Sequence, residues 1–244
     1  MLALYFHAHY GLDVEDLPFW KSLAEKQGGP LLELGCGTGR VLIPLAEAGY
    51  AAWGIDKDPE MLDFLQGNLS PNVLPAPHLL EADFSDFNLD RQFPLVIVPC
   101  NTWSTLDADT RRRALGCITR HLNSGGLLAV SVPNPQVLLD LPPNAKPEVE
   151  DEFEHPLSGD PVQVSSAWKR SKDRLTVTWH YDHLLPDGDV QRTSVEVTHE
   201  LVAAERYLEE VRSAGLAIEA TYGEFDGSPY TAETENFIFV AKKL

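Results

Sequence analysis

The stretch Leu31 to Arg40, LLELGCGTGR, holds one acid and three glycines at alternate positions: Glu33, then Gly35, Gly37 and Gly39. Leu31, Leu32 and Leu34 ahead of them form an apolar run, and Val41, Leu42, Leu45 and Ala46 behind them have helical spacing. The stretch therefore reads as strand, glycine turn and helix. A chain reversing sharply at a strand end needs positive φ, and a ligand resting on bare backbone tolerates no Cβ, so glycine meets both demands. The helix that follows presents free N–H groups to whatever occupies the turn. Asp56 ends the next expected strand, Ala51 to Ile55, where an α/β nucleotide site sets a carboxylate to accept hydrogen bonds from both ribose hydroxyls. Spacing sorts the ligands. The dinucleotide fingerprint G-x-G-x-x-G fits Gly35 and Gly37 but puts Arg40 in its third slot, and no G-K-[ST] follows for a phosphate loop. A βα turn without any nucleotide is the plainer alternative.

The pattern E-x-G-x-G-x-G after a strand, carried here by Glu33, Gly35, Gly37 and Gly39, resembles motif I of the class I S-adenosylmethionine-dependent methyltransferases. The resemblance implies S-adenosylmethionine as cofactor and S-adenosylhomocysteine as product. It implies cofactor contacts at Cys36 and Thr38 inside the turn, and at Asp56 and Lys57 after the second strand. Met61 lies on an expected helix, Pro59 to Leu69, either near the adenine or in the core. Asp83 and Phe84 follow the expected strand His78 to Ala82 and match the acid that accepts from the adenine amino group and the residue packed on its ring. The expected strand Leu95 to Val98 ends in Pro99-Cys100-Asn101-Thr102-Trp103, at the mouth of the site. Amino-methyltransferases of nucleic acids carry Asn/Asp-Pro-Pro-aromatic there, which this chain lacks; Pro133-Asn134-Pro135 follows a later strand. Pro99 and Asn101 remain expected cofactor contacts, and Trp103 an expected substrate contact.

The elements that position these residues follow from periodicity. A helix over Asp109 to Leu122, capped by Asp107 or Asp109, turns at Gly125-Gly126 into a strand, Leu127 to Val132. Its HLNSGG resembles the H-L-x-P-G-G preceding this strand in many such methyltransferases. The fold expected is α/β, a Rossmann-like doubly wound seven-stranded sheet with an antiparallel last strand, plus a small antiparallel β insertion. Leu216 to Tyr222 and Phe237 to Lys242 close it, after a helix Ala203 to Ala214 ended by Gly215. Prolines from 133 to 161 mark an irregular connection. Three alternating segments follow, Val162 to Arg170, Arg174 to Leu184 and Val190 to Leu201, the last two joined by Pro186-Asp187-Gly188-Asp189. The expected organisation is a cofactor-binding domain over 1–133 and 202–244, with the connection and lobe over 134–201.

The lobe resembles the small sheet over the active site of methyltransferases acting on glycine-like amines and amino sugars, which implies that it walls the substrate pocket. In its middle strand Leu175, Val177, Trp179 and Tyr181 share one face, and Thr176, Thr178, His180 and Asp182 the other. His180 is either a general base or a surface histidine paired with Asp182. In the loop YGEFDGSPY, Tyr222 and Tyr230 line the pocket or shape a tight turn, Tyr222 toward the substrate and Tyr230 with His180 in the chemistry. Residues 1–29 carry Tyr5, Phe6, His7, His9 and Tyr10 and then a short helix, Leu17 to Gln27. They either staple the N-terminus to the core or form a lid, with Tyr10 on the cofactor and Tyr5 on the substrate.

Composition bounds the partners. A net charge of −18 opposes the Lys/Arg-led binding of nucleic acid and of an anionic membrane. Arg111 to Arg113 read as a solvated helix face. The three cysteines have no metal spacing and imply a reducing compartment, so the expected location is cytoplasmic and no metal is expected. The expected partner is a small-molecule methyl acceptor, with the chain a monomer or homodimer. Methyl transfer to N or O by in-line displacement asks the protein mainly to hold a neutral amine or a deprotonated phenol in a dry pocket, with Asp226 a further candidate beside His180 and Tyr230. A non-catalytic S-adenosylmethionine-binding or interaction protein is the alternative, and a nicotinamide oxidoreductase fails on the glycine spacing.

Overall fold

Leu31, Leu32 and Leu34 are fully buried, because their strand lies mid-sheet with both faces covered, as a parallel strand requires. The computed structural model describes residues 2–11 and 14–244; Met1, Leu12 and Asp13 of the expected N-terminal segment lie outside the described residues. In chain order the strands are β1 (Leu31–Leu34), β2 (Ala52–Asp56), β3 (His78–Glu81), β4 (Phe93–Val98), β5 (Leu122–Pro133), β6 (Glu148–Glu154), β7 (Pro161–Arg170), β8 (Arg174–Leu184), β9 (Val190–Glu200), β10 (Leu216–Tyr222) and β11 (Asn236–Lys243). The helices are α1 (Leu2–Tyr10), α2 (Leu17–Gln27), α3 (Leu42–Glu47), α4 (Pro59–Asn68), α5 (Ala108–His121), α6 (Pro135–Asp140) and α7 (Ala204–Ser213), with a 3-10 turn at Thr102–Thr105.

The seven-stranded sheet runs β10-β11-β5-β4-β1-β2-β3. β1 through β5 are parallel, and β11 is antiparallel to both neighbours. This is the expected sheet with its antiparallel last strand. Strand order reverses between β1 and β4, so the connections leave in opposite directions and open a crevice at the carboxyl ends. Core side chains fill both faces of this sheet. Asp58 caps α4, its side chain accepting from Glu60 N with Pro59 at N1, and Asp107 rather than Asp109 caps α5 by accepting from Thr110 N. Among the described residues no helix is long and apolar enough to cross a membrane.

The second sheet has four strands in the order β6-β7-β8-β9, one more than the alternation predicts. β6 reads EVEDEFE and is exposed on both sides except at Phe153, so no apolar face announces it. The aromatic N-terminal segment forms α1, and Asn134 caps α6 by accepting from Gln136 N at 2.9 Å. α3 starts later than its periodicity suggests because Gly39, at φ 87°, still belongs to the turn. The expected Gly125-Gly126 turn lies within β5, where the register with β4 shifts from Phe93↔Leu122 to Leu95↔Leu127.

Candidate functional site

A cavity of about 860 Å³ opens at the carboxyl ends of β1, β2 and β4, roofed by the four-stranded sheet and by α1. Its floor is the glycine turn. A Cβ added to Gly37 would meet nothing within 4 Å, so the turn there faces open cavity, whereas one on Gly39 would lie 2.8 Å from Leu65 Cγ. Gly37 gives room to a ligand, while Gly39 lets the turn pack on α4. Asp56, at the tip of β2, accepts from Gly37 N at 2.8 Å through Oδ2 and from Asp58 N at 3.0 Å through Oδ1. Its carboxylate is thus tied to both the turn and the start of α4. Thr38, in the turn, meets His7 Nδ1 of α1 at 3.2 Å.

Glu33 is 2% exposed and lines the cavity, its Oε2 without a hydrogen-bond partner among the described residues. Burial pushes its carboxyl well above the ordinary range; Arg40 opposes the shift, and Asp16 and Asp56 add to it. Arg40 is itself held by Asp16 in a two-pronged pair at 2.6 and 2.5 Å, and Asp16 also accepts from Trp20 Nε1 at 2.8 Å. Burial opposes the Arg40 charge, but the Asp16 hydrogen bonds outweigh it and raise its pKa. Arg40 Nη2 reaches the Cys100 thiol at 2.9 Å. A buried carboxylate oxygen without a partner suits a cation, the open face over Gly37 suits a ligand lying on backbone, and the tethered Asp56 suits a pair of hydroxyls. The residues present fit a nucleoside with a cationic end.

The roof is aromatic and aliphatic: Phe6 and Tyr10 from α1, Val177 and Trp179 from β8, Val197 and His199 from β9. Burial pushes Tyr10 up to about 12, with Cys100 and Glu150 adding to it. His199 Nδ1 lies 2.8 Å from Ser104 Oγ on the 3-10 turn, and burial lowers its pKa. Phe225 closes the remaining side with Glu224, Asp226 and Glu235. A smaller hollow of about 300 Å³, lined by Asp83, Phe84 and Leu106, shares Gly35, Asp56 and Lys57 with the main cavity.

Of the expected cofactor contacts, Tyr10, Glu33, Gly35, Cys36, Gly37 and Thr38 line the main cavity. Lys57, Met61 and Asn101 line it too, and Asp83 and Phe84 line the hollow beside it. Gly39 packs on α4, and Pro99 is buried at the end of β4 outside both linings. Five expectations are corrected. His180 lies on the outer face of β8, bonded to Ser194 Oγ at 2.7 Å rather than to Asp182, which pairs with Arg192 at 2.6 Å. Tyr230 donates to Asn134 Oδ1 at 3.0 Å and packs on Phe237, so it shapes its loop. Tyr222 stands edge-on to Phe19 in the core beneath α2. Trp103 is wholly buried in the sheet core. Tyr5 stacks on Tyr181 at 5.5 Å and joins α1 to the lobe, so the staple describes it and the substrate contact does not.

His199, Arg40 and Trp179 are lining residues the sequence reading left without a role. One signal was present for His199. It extends the apolar stripe Val195, Val197 of β9, opposite Trp179, Val177 and Leu175 of β8, and a histidine at the end of such a stripe is out of character for a solvated edge.

Residues 31–126 match the family model described as a methyltransferase domain. The cypemycin N-terminal methyltransferase of Streptomyces sp is 28% identical over 228 residues, spanning 88% of this chain and 84% of that protein. The S-adenosylmethionine-dependent methyltransferase from Clostridium acetobutylicum ATCC 824 superposes with a TM-score of 0.84 at 18% identity, covering 98% of this chain and 97% of the other, a likeness of fold. The sugar N-methyltransferase KedS8 from Streptoalloteichus sp ATCC 53650 superposes with a TM-score of 0.74 at 25% identity, over 98% of this chain and 91% of its own.

Proposed function

Since the chain is a class I S-adenosylmethionine-dependent methyltransferase, we propose that it methylates a nitrogen of a small amine. The observation that carries this reading is the chemistry of the cavity wall. Glu33, Asp56, Asp58, Glu224, Asp226 and Glu235 line it, outnumbering the two cations there, Lys57 and Arg40, the second of which is engaged by Asp16. Tyr10, Trp179 and Phe225 add ring faces that attract a cation. Such a wall favours an ammonium-bearing guest and gives a phenolate little support. A sugar N-methyltransferase and an N-terminal methyltransferase among the similar proteins agree with this reading.

Bound S-adenosylmethionine supplies an electrophilic methyl group on a sulfonium. Asp56 would hold the ribose hydroxyls, Asp83 and Phe84 the adenine, and Glu33 the cationic end. Phe6 and Tyr10 would keep water out, and the face of β8 and β9 would hold the acceptor nitrogen in line, about 3 Å from the methyl carbon. In this reading residues 134–201 form the acceptor wall, and residues 1–133 with 202–244 carry the cofactor. The cysteine usage and the charge of −18 support a cytoplasmic enzyme without a nucleic-acid partner.

The test is calorimetric titration with S-adenosylhomocysteine of wild type and Asp56→Ala. Micromolar binding that falls at least tenfold in the variant, about 1.4 kcal/mol, is expected. No binding by a folded wild type overturns the cofactor assignment.

A further inference from the structure

A chain of hydrogen bonds runs from the end of β4 to the lobe. Ser104 Oγ donates to the Asn101 carbonyl at 2.7 Å and lies 2.8 Å from His199 Nδ1. A serine hydroxyl has one proton, and here the carbonyl takes it, so the imidazole must be the donor in the second bond. The tautomer follows: Nδ1 carries the hydrogen and Nε2 keeps its lone pair. The carbonyl that starts the chain sits on left-handed backbone, with φ 58° at Cys100 and 62° at Asn101, which aims it at the 3-10 turn. No group among the described residues hydrogen-bonds Nε2, and the ring lines the cavity beside Val177, Trp179 and Val197.

The surroundings keep this imidazole neutral. Burial is the one cause that lowers its pKa. Its cross-strand partner is Leu175, and the neighbouring Arg174 and Glu200 are paired with each other at 2.9 Å. Ser104, facing it from the turn, carries no charge. A histidine that is neutral at pH 7, tautomerically set and open to the cavity is equipped to accept a proton.

We infer that His199 is the general base of this enzyme and takes the acceptor's proton at Nε2, a role that rests on the N-methylation reading. An ammonium acceptor gives one N–H proton to Nε2 and becomes a neutral amine. Its lone pair forms the N–C bond as the C–S bond breaks, and the electron pair of that bond stays on sulfur. The product nitrogen carries the positive charge that sulfur loses, and the imidazolium later returns its proton to water. Ser104 is a positioning residue that acts through the tautomer.

His199→Asn tests the role, because its side-chain N–H can still serve Ser104 while the lone pair at Nε2 is gone. Initial rates are measured from pH 6 to 10 with methyl-labelled S-adenosylmethionine and two sets of acceptors, amines (an amino sugar, a diamine, a peptide N-terminus) and phenols. For an accepted amine, kcat of His199→Asn at pH 7 falls on the order of 10²- to 10⁴-fold, while KM and S-adenosylhomocysteine affinity stay within about threefold. The deficit shrinks toward pH 10, where the amine is neutral unaided. Nitrogen-15 NMR of the wild type shows Nδ1 protonated and Nε2 bare at pH 7. Equal loss at every pH, no loss, or an Nε2–H tautomer overturns the base. A folded, cofactor-binding wild type that methylates phenols or none of the acceptors overturns N-methylation itself.

Discussion

Gly37→Ala and Gly39→Ala separate ligand space from packing space within one turn. Both glycines have positive φ, 50° and 87°, so each alanine carries the left-handed penalty of about 1–2 kcal/mol. At Gly37 the new Cβ meets nothing within 4 Å, and that penalty is the whole folding cost. In a chain of this size about 1 kcal/mol lowers Tm by about 2–4 °C, so Gly37→Ala loses about 2–8 °C. At Gly39 the Cβ would lie 2.8 Å from Leu65 Cγ and 2.9 Å from Ile43 Cγ1. Overpacking adds about 1–3 kcal/mol there, for a total loss of about 4–20 °C. Binding has the opposite order. The methyl of Gly37→Ala stands where a ligand rests on the backbone, so its S-adenosylhomocysteine affinity falls tenfold or more, at least about 1.4 kcal/mol. The folded fraction of Gly39→Ala binds within about threefold of wild type. Scanning calorimetry and titration calorimetry on the two variants read both quantities. Gly37→Ala binding like wild type, or Gly39→Ala losing affinity without losing Tm, refutes the division.

Two further perturbations probe buried charge. Burial raises the Glu33 carboxyl, so the folded protein without ligand holds a proton there that the unfolded chain releases. That contribution is fully present below the unfolded-state pKa and is lost as pH rises toward the raised folded-state value. Glu33→Gln removes the loss, and its Tm declines less than that of wild type from pH 5 to 8; a steeper decline would sink the assignment. A cationic end bound at Glu33 favours the ionised form, so binding of S-adenosylhomocysteine lowers the raised pKa and is coupled to proton release, detected between pH 5 and 8 as heat that varies with buffer ionisation enthalpy and is absent in Glu33→Gln. On the far side of the sheet, Arg111 bonds Glu210 at 2.7 and 3.0 Å and is 2% exposed. Arg111→Ala leaves the Glu210 carboxylate with only Arg206, 3.5 Å away, and costs about 2–3 kcal/mol in urea unfolding, with ligand affinity unchanged; a loss under about 1 kcal/mol would mean that water and Arg206 replace the pair.

The residues proposed to hold the cofactor could be placed at one cavity from the sequence because each of their signals is local. Glu33 and the glycines, Asp56 with Lys57, and Asp83 with Phe84 each follow a single strand, and a parallel α/β sheet brings successive strand ends to one edge whatever else the chain does. Where local signals were weak the reading fell short: β6 has no apolar face to alternate, and α1 shows as an aromatic cluster before it shows as a helix. The acceptor half is decided by long-range packing. Alternation along β8 divided its residues into two faces correctly, with Thr176 and His180 meeting Thr198 and Ser194 on one and Val177 and Trp179 on the other. Period-two spacing cannot say which face turns inward, because both are consistent with the same backbone. That choice was made by contacts far apart in sequence: Tyr5 stacking on Tyr181 and Ser104 meeting His199. They seat the apolar face over the cavity, which puts His180 on the opposite face beside Ser194 and His199 in the cavity lining. Local signals along the chain therefore place the strand-end residues at one sheet edge, whereas packing selects which histidine and which tyrosines line the cavity there, since a sheet's two faces become unequal only when something packs against one of them.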